Sequence, residues 1–306
     1  MSPEGTAGVL AIFGPTGSGK TAVAEAVADA MGGAVVSCDS MQAYRGLPIL
    51  TNQPDRPTRL VGVWPLDHEG SVAEFAELAQ AAIDELLASG RTPVLAGGTG
   101  LYLRAAIGEL DLPPKVEPGI RERAQRLYDR VGAVRAHELL AARDPGAAAA
   151  VHPNDRRRVV RALELLDVGA SLQPAEARLW SERARHPTIV FGLDVPRETL
   201  DERIRARTQA MFEAGVVGEV RRALATPISS TASQALGLQE LAELPEAEAF
   251  EALVARTQRY AAYQRKWMRR IPGLVSVAAD RPADKVADEL LEVARARQHL
   301  SAGGAR

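Results

Sequence analysis

The 306-residue chain has almost no cysteine: Cys38 stands alone, which excludes a disulfide framework and a zinc site built from several thiolates. A reducing, intracellular setting is the expectation that follows. No run approaches the roughly 18 apolar residues needed to span a bilayer. Met1 to Gly8 also lacks the charged and apolar regions of a signal peptide. There are no repeats, and no low-complexity tract beyond alanine-rich helix surface. Charge of one sign is missing too, with 37 Lys plus Arg against 39 Asp plus Glu and a net charge of -2. Taken as a sum, this argues against nucleic acid, because proteins that neutralise phosphates usually carry a basic surplus. The composition is otherwise ordinary for a globular chain, 46% hydrophobic and 25% charged, long enough for one large domain or a core with an inserted lobe. The expectation is a soluble cytoplasmic protein, monomeric by default.

Val9-Leu10-Ala11-Ile12-Phe13 is a short apolar run that ends in a glycine-rich turn and opens into a helix-forming stretch from Lys20 to Met31. Gly32-Gly33 stops that helix, and Ala34 to Cys38 is a second apolar run closing on Asp39. Leu60 to Trp64 reads as a further strand, Val72 to Ala88 has helical spacing, and Pro93 to Ala96 is another buried-type run before Gly97-Gly98-Thr99. Short apolar runs alternating with helices predict an α/β fold, a P-loop-type parallel sheet covered by helices. From Glu117 to about Arg185 the chain is helical and rich in Ala and Arg, with breaks near Gly132, Asp144-Pro145-Gly146, His152-Pro153 and Gly169. Thr188 to Leu193 returns as a strand. Helices from Arg197 to Glu213 and from Phe250 to Arg270, a last apolar run Leu274 to Ala278, and a helix from about Ala283 follow. The organisation predicted is a first core part at 1–114, an inserted all-helical lobe at 115–186, and a second core part with C-terminal helices at 187–306.

Gly14-Pro15-Thr16-Gly17-Ser18-Gly19-Lys20-Thr21 satisfies the G-x-x-x-x-G-K-[ST] pattern between a strand and a helix. With 26 Gly and only 4 Lys in 306 residues, chance would produce the pattern about 0.002 times. Glycines let backbone N–H groups converge on an anion, and the helix N-terminus adds positive potential. Lys20 adds a point charge, and the Thr21 hydroxyl is the candidate ligand of a magnesium ion. All eight residues are therefore candidate diphosphate-binding residues, since the loop specifies a diphosphate or polyphosphate and not one nucleotide.

Asp39, at the carboxyl end of the second strand, faces the same crevice as the loop. A carboxylate beside a bound anion is repelled unless it holds metal or takes a proton. Two chemistries compete for it: a P-loop small-molecule or nucleotide kinase, or a transferase whose leaving group is diphosphate and whose general base is Asp39. Cys38 beside it, on the opposite strand face, reads as packing.

The segment Asp39-Ser40-Met41-Gln42-Ala43-Tyr44-Arg45-Gly46 resembles the D-S-x-Q-x-Y-R-G segment of the tRNA dimethylallyltransferases. Further matches follow in order at Gly97 to Tyr102, Asp144-Pro145, His152 to Asp155, Arg158, Arg161 to Glu164, Arg203-Ile204 with Arg207, and Gln264 with Trp267 and Arg269. The resemblance covers about residues 8 to 278. It implies transfer of the dimethylallyl group of dimethylallyl diphosphate to the exocyclic amine of the adenosine 3′-adjacent to the anticodon of tRNA. On this resemblance Asp39 is the base and Arg203 the arginine that meets the departing diphosphate, while Thr99, in the loop after the third apolar run at the carboxyl edge of the sheet, is a candidate catalytic and tRNA-contacting residue that could bond the diphosphate or the substrate base. Asp39, Ser40, Met41 and Gln42 would contact the extruded base. Arg121 and the segment Arg157, Arg158, Val159, Val160 and Arg161 would contact the anticodon stem-loop. One departure falls in the long C-terminal helix, where Gln258 and Ala262-Tyr263 replace residues of the usual T-R-x-Y-A-K-R-Q.

Local charge reverses what the sum suggested. Asn154 to Arg161 holds four Arg and one Asp, and Arg256 to Arg270 holds six cations and no acid. Such stretches can neutralise RNA phosphates on a protein with no basic surplus. Tyr260, Tyr263 and Trp267 interleave with the second stretch. Their spacings of three and four place them on one face, which reads as core.

Overall fold

The computed structural model describes residues 8–108, 114, 116–172 and 184–303. Val9–Phe13 (β1) is buried along its whole length, the mark of a central strand in a parallel sheet covered on both faces. It pairs with Pro93–Gly97 on one side and Thr188–Asp194 on the other, with Ala11 opposite Leu95 and Val190. Ala34–Ser37 and Val275–Ala278 form the two edges. Numbered β1 to β5 along the chain, the strands lie in the order β2-β3-β1-β4-β5, all parallel.

Lys20–Met31 (α1) ends at Gly32, whose positive φ of 60° lets its N–H reach the carbonyls of Ala28 and Asp29. Val72–Ala88 (α2) is capped by Ser71, whose hydroxyl accepts from the Glu74 amide, and Gly100–Ile107 (α3) follows β3. After β4 come Arg197–Glu213, Val216–Leu224, Leu238–Glu243, Glu246–Met268 and, after β5, Ala283–Gly303. These are α7 to α11. Helices α1 and α11 cover one side of the sheet, where Val23, Val27, Val286 and Leu290 pack on Leu10, Ile12, Phe191 and Leu193. A second apolar cluster joins Leu47 and Leu50 to Met211 of α7, Val216 and Val220 of α8 and Leu253 of α10.

The chain divides into two compact units, 1–108 with 184–306, and 109–183. The second is helical: Pro118–Arg143 (α4), interrupted at Gly132 with φ 80°, then Pro145–Ala149 (α5) and Arg156–Asp167 (α6). Asp144 and Asp155 cap α5 and α6 with their carboxylates. Tyr128, Ala136, Leu140, Val159, Val160 and Leu163 form its core.

Two expectations are corrected. Leu60 to Trp64 is not a strand: Leu60 has a φ of 66°, which breaks extended backbone, and the neighbouring pairings are isolated bridges, Arg59 with Val36 and Trp64 with Tyr44. The long helix expected from Phe250 starts one turn earlier, at Glu246. Among the described residues, no helix is long and apolar enough to cross a membrane.

Candidate active site

In a parallel sheet every strand delivers its following loop to the same edge. The ends of β1, β2 and β3 thus bring together the phosphate loop, Asp39 and Thr99. The loop is folded onto itself and onto distant chain. The Ser18 amide donates to the Pro15 carbonyl at 3.1 Å, and the Gly14 amide to that of Gly97 at 3.3 Å. The Thr16 amide donates to Oε1 of buried Gln264 at 2.8 Å, while Nε2 of Gln264 donates to the Gly98 carbonyl at 3.0 Å. One side chain of α10 therefore clamps two loops of the sheet. Gly98 must be glycine for this, since a Cβ there would collide with the Gln264 amide and stand 2.8 Å from the Gly14 carbonyl. The amides of Gly17, Gly19, Lys20 and Thr21 have no acceptor among the described residues, which leaves donors at the positive end of α1. The Ser18 hydroxyl is buried without a partner among the described residues.

Burial lowers the Lys20 ammonium to about 8; the Asp39 carboxylate opposes that shift and the Arg207 guanidinium adds to it. Arg207 is held below its ordinary value by burial, again opposed by Asp39. Lys20, Arg207 and Asp39 thus lie within one another's field, two cations against one carboxylate. Asp39 is half-buried; its Oδ1 accepts from the Met41 amide at 2.9 Å, which makes it a turn aspartate. Cys38 is wholly buried, its thiol pushed up first by burial and then by Asp39, so it stays protonated packing.

Two arginines of α7 reach the loop. Arg203 directs Nη1 to the carbonyls of Gly17 at 3.5 Å and Ala279 at 3.4 Å. Arg207, one turn on, donates from Nη2 to Thr16 Oγ1 at 2.6 Å and has a buried Nε with no partner among the described residues. Arg207, bonded to the loop through Thr16 and within the field of Asp39, sets its charge beside the loop. Only the second arginine of the R-I-x-x-R match hinted at it.

Thr99 occupies the N-cap position of α3, yet its hydroxyl makes no capping bond and meets the Tyr260 hydroxyl at 3.3 Å. The Tyr260 phenol is pushed up to about 12 by burial and by Asp39, with Thr99 opposing, so it remains protonated. The aromatic face of α10 is not core. Tyr260 and Trp267 are half-buried, Tyr263 is 54% exposed, and Trp267 lies against Gly100 at the start of α3. The true core residues of this helix, Leu253, Thr257, Ala261, Gln264 and Met268, lie on the neighbouring face. The basic stretch of α10 is also partly neutralised: Arg256 pairs with Glu240 and Arg265 with Asp194, while Arg259, Lys266 and Arg269 are exposed.

In the helical unit, Arg157 and Arg158 are exposed and make no ion pair among the described residues. Together with Arg156 they occupy the first turn of α6, where the helix dipole disfavours cations, so the positive potential there is concentrated against local stability. Arg121 and Arg161 are anchored on Glu164, which is 2% exposed and receives Arg121 Nε at 3.1 Å and Arg161 Nη1 at 2.9 Å. Val159 and Val160 are corrected: at 0% and 4% exposure they belong to the core of this unit and present no side chain to a partner. Ser40, Met41 and Gln42 are all half-buried, with Met41 leaning on the second apolar cluster. The Gln42 amide is bonded within the protein.

Fold and site define a class: a P-loop α/β protein that sets a carboxylate within the field of two buried cations at the loop. The sequence matches the IPP transferase family over residues 42–271 and the isopentenyl transferase family over residues 7–58. A tRNA dimethylallyltransferase of Salinispora tropica is 39% identical over 277 residues, covering 86% of each chain. That of Streptomyces coelicolor is 40% identical, covering 86% of this chain and 88% of its own. Among solved structures, the tRNA isopentenylpyrophosphate transferase of Bacillus halodurans is 30% identical and covers 97% of this chain and 98% of its own, with a TM-score of 0.70. A eukaryotic dimethylallyltransferase captured acting on tRNA is 25% identical and covers 96% and 79%, with a TM-score of 0.76. The chain belongs to the IPP transferase family. That membership sets aside the kinase alternative.

Proposed function

We propose that this protein transfers the dimethylallyl group of dimethylallyl diphosphate to the exocyclic amine of the adenosine 3′-adjacent to the anticodon of tRNA, releasing diphosphate. The observation that carries the reading is the convergence of Lys20, Arg207 and the phosphate-loop amides on one side with Asp39 on the other. The substrate amine attacks the carbon bonded to the diphosphate oxygen. The new C–N bond takes the amine's electron pair, the C–O bond breaks, and its electrons leave with the diphosphate. Adenine's amine is a weak nucleophile, and Asp39 takes its proton as the bond forms. Charge that develops on the leaving group meets Lys20, Arg207 and the amides of the loop, which are already oriented. Arg203 keeps the loop backbone in place.

The Thr21 hydroxyl, half-buried in the first turn of α1, and the buried Ser18 hydroxyl without a partner suit a hard cation bound chiefly through diphosphate oxygens. Among the described residues no group of three or more His, Cys, Asp or Glu could hold a metal by itself, consistent with magnesium brought in with its substrate. When bound, it neutralises charge on the leaving diphosphate.

The adenine must leave its stacked loop to reach Asp39. We assign Asp39, Ser40, Met41 and Thr99 to its surroundings, and Arg121, Arg157, Arg158 and Arg161 to the phosphates of the anticodon stem-loop. A monomer working in the cytoplasm fits a tRNA substrate and a lone protonated cysteine. The test is incubation with dimethylallyl diphosphate, magnesium and unmodified tRNA, followed by mass analysis of the nucleosides. Prenylated adenosine at that position is expected; its absence, with ATP turnover on a small acceptor instead, overturns the assignment.

A further inference from the structure

Asp39 is held at the end of a chain of side chains. Its backbone N–H donates to Ser37 Oγ at 3.3 Å, and that hydroxyl donates to Gln42 Oε1 at 2.8 Å. Gln42 Nε2 donates to the carbonyls of Thr51 at 3.3 Å and Asn52 at 2.8 Å, so both amide hydrogens and the amide oxygen are engaged inside the protein. Gln53 answers in the reverse direction, with Nε2 donating to the carbonyls of Gln42 at 3.1 Å and Tyr44 at 2.7 Å. The 47–52 segment is fixed in turn from α8. Glu219, 4% exposed, accepts from the Ile49 and Leu50 amides, both at 2.8 Å. A buried carboxylate with two short backbone bonds is a strong anchor.

We propose that Ser37 and Gln42 are positioning residues for the Asp39 carboxylate, with Glu219 as the fixed end of the chain. The inference rests on Asp39 being the general base of the proposed reaction, and it moves Gln42 from reading the extruded base to aiming the base that deprotonates it. The turn at Asp39 gives Oδ1 to the Met41 amide, and Oδ2 has no protein donor among the described residues. The direction of that second oxygen is therefore set by the backbone at residue 39, which Ser37 holds. A base must stand within hydrogen-bond reach of the proton it takes, so loosening this backbone lowers the rate without loosening RNA.

The experiment is Ser37→Ala, which removes one buried hydroxyl and no contact with substrate. In steady-state prenylation of tRNA, kcat falls about tenfold, while KM for tRNA and for dimethylallyl diphosphate each stay within about twofold. On an Asp39→Ala background the same change has no further effect, because the two residues act as one unit. Gln42→Glu keeps the acceptor for Ser37 and sets an acceptor against the Thr51 and Asn52 carbonyls; it gives the same loss confined to kcat. Both are assayed well below their unfolding midpoints, so that a folding defect cannot mimic the result. A wild-type kcat in Ser37→Ala, a rise confined to KM for tRNA in Gln42→Glu, or a loss that multiplies onto Asp39→Ala overturns the proposal. Failure of the underlying reading looks different: Asp39→Ala alone would then retain the wild-type rate.

Discussion

The two units of the chain handle positive charge in opposite ways. At the phosphate loop, Lys20 and Arg207 are withdrawn from solvent far enough that burial shifts both, and each feels Asp39. In the helical unit, Arg157 and Arg158 stand in solvent, and Arg121 and Arg161 fan out from one buried carboxylate. The first arrangement suits charge that develops on a few atoms during one step, where orientation fixed in advance matters most. The second suits a polyanion, where the number of cations matters and small displacements do not.

Substitutions can break or sharpen that contrast. The largest effect is expected from Asp39→Ala: single-turnover prenylation slows about 10³-fold while tRNA affinity in filter binding changes less than about twofold. Equal losses in both would erase the distinction between reaction and recognition. Next is the pair of arginines. Arg207→Ala is expected to slow transfer about 10²-fold, and Arg203→Ala less than about tenfold, with stopped-flow or quench kinetics as the measure. The reverse order would restore Arg203 as the arginine facing the leaving group.

A smaller effect belongs to the helical unit. Arg157→Ala with Arg158→Ala should leave kcat alone and weaken tRNA binding several-fold, and the slope of log K against log salt should shrink by about 1.4 to 1.8. An unchanged slope would mean that these arginines touch no phosphate. The smallest concerns protons. Lys20 of the free protein is about half protonated near pH 8, and a bound anion favours the ammonium, so diphosphate binding raises that pKa. Calorimetry at pH 8 in buffers of different ionisation enthalpy should record an uptake of up to about half a proton, and affinity should fall as pH rises through about 8. Proton release would contradict the sign.

The sheet was legible because strands buried on both faces are written as uninterrupted apolar runs, and the phosphate loop because its glycines and lysine have no other economical use. What sequence could not separate was Arg203 from Arg207. They are one turn apart on the same helix face, and which of them reaches the front of the loop depends on how Leu200 and Ile204 seat α7 against Gly17. The aromatic face of α10 failed for a related reason. Spacings of three and four define a shared face but do not say whether that face meets the interior, and here the adjacent face, with Leu253, Ala261 and Gln264, does. The run from Arg157 to Arg161 mixed two fates, since a helix lying on its core turns Val159 and Val160 inward while its arginines stay out.

Gln264 also sets an order of events during synthesis. The phosphate loop is synthesised about 250 residues before the side chain that fixes Thr16 and Gly98. Until α10 docks, the Thr16 amide and the Gly98 carbonyl lack that partner, even when β1 and β3 have paired and α7 has met the loop. The loop therefore gains this clamp only when α10 is made, and a chain interrupted before Gln264 lacks it.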